Sequence, residues 1–319
     1  MVRIRIQLPG AELARVRFAI SPVYETVMAL AALIRPGVHA VHLPWVRWAG
    51  PRLSTVEHLP LLRALVGRDG FKPGFLMPAP TSRLPDLDDE LRAVRATSPA
   101  DARDDTARLT SKPARRFHDD PRAGLPLVAA ALRQCHDLVV APHWDRMVRL
   151  LDADIAFRAR ALATGGFEHL FTDLHGDVAW TGEELIVHPR QSPSTTVSVR
   201  GHGLVLCPSV FCWPRVTAST NPPTVGTLRY PARGVATLWE SVEPAPQALA
   251  NLIGRTRAAI LARLATPQTT SGLAAGLGIT AGAVSQHLAV LKEAGLVATH
   301  REGRTTLHLR TERATTLLA

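Results

Sequence analysis

Cysteine is scarce in this sequence, and the scarcity excludes one way of stabilising a fold. Only three cysteines occur in 319 residues, at Cys135, Cys207 and Cys212. A small, odd number argues against a framework of disulfide bonds and fits a reducing compartment. Cys207 and Cys212 are spaced C-x4-C with His202 nearby, so a metal site is an alternative. Their surroundings are apolar and no second ligand pair follows, which favours buried structural thiols.

Long apolar segments are also missing. The longest apolar runs, such as residues 125–132, are far shorter than the about 20 residues that a membrane-spanning helix needs. The start, MVRIRIQLPG, carries charges without the apolar segment of a signal peptide behind them. Since 46% of the residues are hydrophobic, a core can form. We therefore expect a cytoplasmic globular protein.

Positive charge is in excess, and it is unevenly distributed. The formal net charge is +10 and the sequence pI is about 10.7. Residues 251–319 contain eight Lys or Arg against three Asp or Glu, so half of the excess lies in about a fifth of the chain. Such a balance favours an acidic partner, above all nucleic acid.

The first 245 residues show helical patterns followed by strand patterns. Apolar spacing predicts helices over residues 19–34, 124–135 and 146–163. Residues 80–126 are rich in charge and proline, and they predict one exposed helix around Leu87 and Leu91 within a loop or linker.

Strand patterns take over between residues 178 and 230. DVAWTGEELIVHP predicts two short strands, TTVSVRGHGLVLCPSVF predicts a hairpin that turns at Gly201–Gly203, and TVGTLRYPARG predicts one more strand. The prolines of SVEPAPQALA mark a boundary. We therefore predict the α+β class, with an N-terminal α+β domain over 1–245 and a second domain over 246–319.

Candidate sites in the first domain have ordinary structural alternatives. TDLHGDV places Asp173, His175 and Asp177 at alternate positions, as a metal site or as a turn, and the turn is favoured. The chain lacks G-x-S-x-G, H-E-x-x-H and glycine-rich phosphate loops, which leaves only that cluster and the segment His143–Asp145 as acid–base candidates. We expect neither a cofactor nor enzymatic activity.

Six tryptophans lie in the first domain, where they either line a cavity for a small organic ligand or fill the core, and the core is favoured. They are Trp45, Trp48, Trp144, Trp180, Trp213 and Trp239.

The last domain has the pattern of a helix-turn-helix. Apolar spacing predicts a first helix over 249–264, and Thr270 is the predicted cap of a short second helix. Gly278 allows a tight turn, and Thr280 is the predicted cap of a third helix. That third helix has an inward apolar stripe formed by Val284, Leu288 and Leu291.

The outer side of the third helix is suited to the major groove of DNA. Small residues at its start permit close approach, and the side-chain amide of Gln286 can pair with adenine. Two strands follow, one with Val297 and Thr299 and one with Leu307 and Leu309, and Glu302 and Gly303 form the tip. A basic hairpin in this position is a wing that contacts the minor groove or the phosphates. The predicted DNA-contacting residues are Thr280, Ala281, Gly282, Ser285, Gln286, His287, Lys292, Arg301 and Arg304.

The segment GLGITAGAVSQHLAVLKEAGLVATHREGRTTLHLR resembles the ArsR/SmtB family of winged-helix transcription regulators over about the last 70 residues. RVRFAISPVYETVMAL and GLVLCPSVFCWP are similar to a long subgroup with a large N-terminal domain. The resemblance implies a repressor that binds an inverted-repeat DNA operator as a homodimer and responds to a signal through its N-terminal domain. An enzyme or a protein-interaction module with a DNA-binding appendage is the alternative.

The metal sites of that family are not matched. One uses a Cys pair on the helix before the recognition helix, where this sequence has TTSGLAAGLG. Another uses Asp and His on a long final helix, where only TERATTLLA follows. The resemblance therefore implies a non-metal effector. Because the final segment is short, the first helix or the N-terminal domain is expected to hold the dimer.

Overall fold

The computed structural model divides the chain into two compact units, Met1–Trp239 (unit 1) and Glu240–Ala319 (unit 2). It describes residues 4–67, 71–188, 195–199, 201, 203–219, 226–239, 247–302 and 305–318. The domain boundary expected between residues 245 and 246 falls within residues 240–246, which lie outside the described residues. Helices and sheets occur together, which confirms the α+β class.

Unit 1 contains nine described helices, joined partly by short 3-10 and π-helical turns. They are α1 Gly10–Leu13, α2 Pro22–Ile34, α3 Leu43–Ala49, α4 Leu59–Val66, α5 Leu87–Arg95, α6 Pro99–Thr106, α7 Lys112–Asp119, α8 Pro121–Cys135 and α9 Trp144–Thr172. The three helices predicted from apolar spacing correspond to α2, α8 and α9. Helix α2 begins after Ser21, whose hydroxyl accepts a hydrogen bond from the Tyr24 N–H.

The helix predicted around Leu87 and Leu91 was confirmed as α5, but the prediction of a loop or linker over the rest of residues 80–126 was wrong. This stretch forms three helices, α5 to α7, and the start of α8. Leu91, Ala102 and Phe117 are buried in the main hydrophobic core. Three of the six prolines in this stretch lie at the first turns of α6, α7 and α8, where a missing N–H costs nothing.

Two four-stranded sheets complete unit 1. The strands are β1 Ile4–Gln7, β2 Arg17–Phe18, β3 Val178–Trp180, β4 Glu184–Val187, β5 Thr195–Ser198, β6 Leu204–Ser209, β7 Thr217–Ser219 and β8 Gly226–Pro231. The first sheet has the order β3-β4-β1-β5, and the second has the order β2-β6-β8-β7. In the second sheet β6 is parallel to both β2 and β8, whereas β7 is antiparallel to β8.

The predicted hairpin at Gly201–Gly203 was wrong, because β5 and β6 belong to different sheets. Strand β5 pairs with β1, and β6 lies between β2 and β8. The Glu12 carboxylate accepts hydrogen bonds from the N–H groups of Gly201 and Gly203, at 2.8 and 3.1 Å. An acidic residue of α1 therefore fixes the connection that the sequence pattern suggested as a turn between paired strands.

Helix α9 extends between the two cores of unit 1. Its first part packs in the main core through Met147 and Leu151, and its last turns pack beside the sheets through Leu170 and Phe171. The helical dihedral angles are interrupted at Gly165 and at Gly166, where φ is +64°. A glycine at this break allows the chain to change direction from one core to the other.

The cysteines and most tryptophans belong to the packing of unit 1. All three cysteines are buried, and burial raises the pKa of Cys207 to about 12 and that of Cys212 to about 11. Trp45 packs against Phe211 and Trp239, with ring centroids 4.5 and 5.9 Å apart. The favoured interpretation of buried thiols is therefore confirmed, and the Trp45 cluster is part of the core.

Unit 2 contains α10 Gln247–Ile253, α11 Arg255–Arg263, α12 Thr270–Leu277, α13 Ala281–Glu293, β9 Val297–Glu302, β10 Thr305–Arg310 and α14 Glu312–Leu318. The single helix predicted over 249–264 was wrong, because Gly254 at φ +89° separates α10 from α11. The apolar spacing continues across this glycine, so the sequence pattern did not indicate that the helix ends there. One hydrophobic core contains residues of α11, α12 and α13, together with Val297 of β9 and Ala314 of α14.

Among the described residues, no single helix is long and apolar enough to cross a membrane. One bent pair, α12 with α13, meets that test by length and composition only.

Candidate DNA-binding surface

Helices α12 and α13 form the predicted helix-turn-helix. The chain bends by 113° between them, within the range usual for this motif. Gly278 adopts the left-handed conformation at φ +66°, as predicted for the turn. Thr280 caps α13 by accepting from the Ala283 N–H at 3.2 Å. The cap of α12 is Thr269, which accepts from the Gly272 N–H at 3.0 Å, so the assignment of Thr270 was wrong by one residue.

Helix α13 has one buried face and one exposed face. Val284, Leu288 and Leu291 are buried in the core of unit 2, as predicted. Gly282, Ser285, Gln286 and Ala289 follow the spacing i, i+3, i+4, i+7, so they share one face, and all four are exposed. A side chain added at Gly282 would meet nothing within 4 Å, so this part of the helix surface is open.

The other predicted contacts on α13 lie beside that face. Ala281 and Lys292 are exposed, and His287 is half-buried. Thr280 is exposed, and its oxygen accepts the capping hydrogen bond while its hydroxyl hydrogen stays available to a partner. The structure therefore brings six of the predicted residues to the surface around one helix, with His287 partly covered.

The wing is present as the antiparallel pair β9 and β10. Arg301 lies opposite Thr306, at the second-last position of β9. The side chain of Arg301 and the whole of Gly303 and Arg304 lie outside the described residues. Contact of the two arginines with DNA therefore stays a prediction.

His308, on the second strand of the wing, was not among the predicted residues. Its backbone exchanges two hydrogen bonds with Gln268, at 2.9 and 2.8 Å. Its ring Nε2 lies 3.1 Å from the Thr270 hydroxyl, and its Nδ1 lies 3.3 Å from the Thr299 hydroxyl. Burial, and to a lesser degree the charge of Lys292, lowers the pKa of His308. The only sequence signal was its alternation with Leu307 and Leu309, which does not identify a partner.

The candidate metal and acid–base residues of unit 1 form ordinary contacts. His175 accepts from the Asp177 N–H at 3.0 Å, and the Asp177 carboxylate lies 3.7 Å from Arg215. His143 packs edge-on against the rings of Trp48 and Trp239. Over the part of the chain that the structure describes, no group of three His, Cys, Asp or Glu is placed to hold a metal ion.

Comparisons with known proteins cover both units. Residues 252–300 match a family model described as a helix-turn-helix domain. Residues 78–236 match a model described as a family of unknown function, DUF5937. No curated protein and no solved structure gives a significant match. The chain therefore carries a helix-turn-helix domain that follows a larger N-terminal domain in sequence. This architecture supports a DNA-binding transcription regulator.

Proposed function

We propose that this protein is an ArsR/SmtB-like repressor, which binds an inverted-repeat operator as a homodimer and responds through unit 1 to a non-metal ligand or another signal. The observation that carries the proposal is the exposed face of α13 formed by Gly282, Ser285, Gln286 and Ala289, opposite a fully buried stripe. Three of these four residues are small, so the helix can approach the bases closely. The fourth has the amide that pairs with adenine.

The charge of the domain supports phosphate binding. Eight Lys or Arg against three Asp or Glu in residues 251–319 give a net charge of +5 on a small domain. Cations that neutralise phosphates release counterions from DNA, so the affinity should fall steeply as salt increases. Binding that is absent, or insensitive to salt, would contradict the proposal.

Gln286→Ala and Arg304→Ala are expected to have different effects on DNA binding. The first should reduce discrimination at one base pair of each half-site by about 1–3 kcal/mol, because the amide that pairs with the base is removed. The second should weaken binding to all DNA sequences alike. It should also reduce the slope of affinity against salt by about the amount that one phosphate contact contributes. Fluorescence anisotropy with DNA from upstream of the protein's own gene, and with a scrambled duplex, measures both.

Arg255→Ala is the matched control for the arginine variant. Arg255 is exposed on α11, so its loss removes the same charge away from the wing. It should change affinity less than Arg304→Ala does. A uniform loss of affinity in both the Gln286 and the Arg304 variants would mean that Gln286 does not read a base.

Exposed leucines support a dimer interface in unit 2. Leu252 on α10 is 78% exposed, and Leu317 on α14 is 46% exposed. The much greater exposure of Leu252 favours association through α10, the first helix of the unit, as expected from the sequence. Leu252→Glu is therefore expected to yield a monomer in sedimentation equilibrium. The control is Leu127→Glu on α8, at a leucine 39% exposed, which should stay dimeric. If the Leu252→Glu protein is still a dimer, the interface does not include Leu252.

The proposed effector is not a metal, because the positions that bind metals in the resembled family lack ligands here. Helix α12 reads TSGLAAGL and α14 reads ERATTLL, without Cys or His. We assign to unit 1 a regulatory rather than a catalytic role as part of the same proposal. A thermal-shift screen with metals and metabolites tests this assignment. Stabilisation by a small organic compound supports it, whereas stabilisation by metals alone, or turnover of a bound compound, contradicts it.

A further inference from the structure

The wing is attached to the rest of unit 2 at a small number of positions near its base. The Arg310 N–H donates to the Leu264 carbonyl, and Thr311, just after β10, hydrogen-bonds to Leu296 and Gly295. His308 hydrogen-bonds to the segment around α12. Among the described hairpin residues that form such bonds, it lies nearest the tip.

The position of this last attachment determines how much of the two strands extends beyond it. His308 lies directly opposite Thr299, three residues before the end of β9 at Glu302. A strand rises about 3.4 Å per residue, so the end of β9 lies roughly 10 Å beyond this point. An isolated two-stranded hairpin is marginally stable and strongly twisted, so a small rotation at His308 displaces the far ends of β9 and β10 much further.

The side chain of His308 links β10 to α12 and to β9, in addition to the backbone bonds with Gln268 and the backbone pairing of the two strands. Through Nε2 it contacts Thr270, the first residue of α12, and through Nδ1 it contacts Thr299 in β9. The Thr270 hydroxyl is available for this contact, because Thr269 provides the helix cap. A neutral imidazole has one donor and one acceptor nitrogen, and a threonine hydroxyl can take either role, so both contacts are satisfied in either tautomer.

We propose that His308 is a positioning residue for DNA binding, which links Thr270 of α12 to Thr299 of β9 and so holds the wing at the angle at which Arg301 and Arg304 meet the DNA backbone. This inference rests on the proposed DNA-binding function. It assigns to His308 no contact with DNA of its own.

Three substitutions at position 308 separate the two ring contacts. Glutamine places its amide group where Nε2 lies, and asparagine places its amide near Nδ1. His308→Gln therefore keeps the link to α12, His308→Asn keeps the link within the wing, and His308→Ala removes both. The link to α12 is the one that sets the angle, so the glutamine variant should resemble the original protein and the other two should not. Thr270→Val should reproduce the alanine variant from the opposite side of the contact.

The first measurement needs no DNA. Hydrogen–deuterium exchange of the full-length protein should show faster exchange of the wing amides in His308→Ala and His308→Asn, with α13 unchanged. Equal exchange in all variants would overturn the link itself. This arm remains decisive if the unaltered protein fails to bind DNA, a result that would overturn the proposed function instead.

The second measurement is DNA binding across salt, with a duplex selected from a random-sequence pool by the original protein and a scrambled duplex. His308→Ala should bind both about tenfold more weakly, with a salt slope shallower by about 0.9 for each phosphate that the wing no longer neutralises. In the Arg301→Ala/Arg304→Ala background the same change should have no further effect, because the groups that it positions are gone. An equal loss in that background, or equal behaviour of the glutamine and asparagine variants, would overturn the proposal.

Discussion

Replacing Asp154 by alanine is expected to lower the free energy of unfolding of unit 1 by roughly 3–5 kcal/mol. This carboxylate is 3% exposed, and it accepts hydrogen bonds from the Tyr230 hydroxyl at 2.9 Å and from the Arg233 N–H at 3.1 Å. It also lies 3.8 Å from Nε of Arg158, which is 2% exposed. Without Asp154 the guanidinium of Arg158 would stay buried without an opposite charge, keeping its hydrogen bond to the Asp173 carbonyl and its contact with the Tyr230 ring.

Asp152→Ala is the matched control. Asp152 lies two residues earlier on the same helix and forms an ion pair with Arg83, but both side chains are well exposed. Exposed ion pairs contribute about 0–1 kcal/mol, so this variant should be close to the original protein. All six tryptophans lie in unit 1, so their fluorescence during denaturant unfolding follows this unit selectively. Similar losses of stability in the two variants would show that burial of the ion pair between Asp154 and Arg158 does not cause the effect.

Glu90→Gln is expected to stabilise unit 1 by roughly 3 kcal/mol above pH 7 and by little below pH 4.5. Glu90 is 3% exposed, and its Oε2 accepts from the Ser21 hydroxyl and the Val23 N–H, each at 2.9 Å. Its other oxygen is buried with no hydrogen-bond partner among the described residues. Glutamine can therefore keep both accepted bonds with its carbonyl and place its amide nitrogen on the unpartnered side.

The sign of this effect follows from the cause of the pKa shift. Burial raises the pKa of Glu90 from 4.5 to about 7, although hydrogen bonds and the nearby charge of Arg229 oppose the shift. A pKa raised by folding means that the stabilising contribution is complete below pH 4.5 and is lost as pH rises through 7. Burial raises the pKa of Glu25 to about 7 as well, so the Gln variant should retain part of the pH dependence.

The comparison is best made as a difference between the two proteins at each pH. Burial lowers the pKa of His39 to about 4 and that of His42 to about 3, and these groups cost stability as pH falls below 6.5. Their contribution is the same in both proteins and cancels in the difference. Asp89→Asn, at an exposed neighbour paired with Arg92, is the control and should change stability by less than about 1 kcal/mol. A difference independent of pH between 4 and 8 would contradict the buried, ionising carboxyl.

Prediction from sequence succeeded where the signals were local. The stripe of α13, the turn at Gly278 and the paired strands of the wing depend on residues close together in the chain. The cap of α12 was misplaced by one residue because Thr269 and Thr270 are adjacent and have the same side chain. The contact of His308 with Thr270 joins positions 38 apart, and no local pattern indicates it.

Unit 1 was harder to predict for the same physical reason. Strand β1 pairs with β4, so that Ile4 lies opposite Val187, and a pattern near residue 4 cannot indicate that partner. The fold also buries the charged residues Glu25, Glu90 and Arg229, which no pattern in the sequence marks as buried. Burial of such groups depends on donors and acceptors brought together by the complete fold, such as the Met77 carbonyl that Arg229 contacts at 2.8 Å.

The N-terminal strands have a consequence for how the protein is made. During synthesis β1 and β2 leave the ribosome long before the strands that they join, since β2 pairs with residues 205 and 206. Both strands therefore present open edges until most of unit 1 has been translated. Folding that depends on pairs so distant in sequence is slow. Until it is complete, the partly synthesised chain can associate with other nascent chains. Translation speed and chaperone supply should therefore affect the yield of unit 1 more than that of unit 2, whose helices pack against near neighbours in the chain.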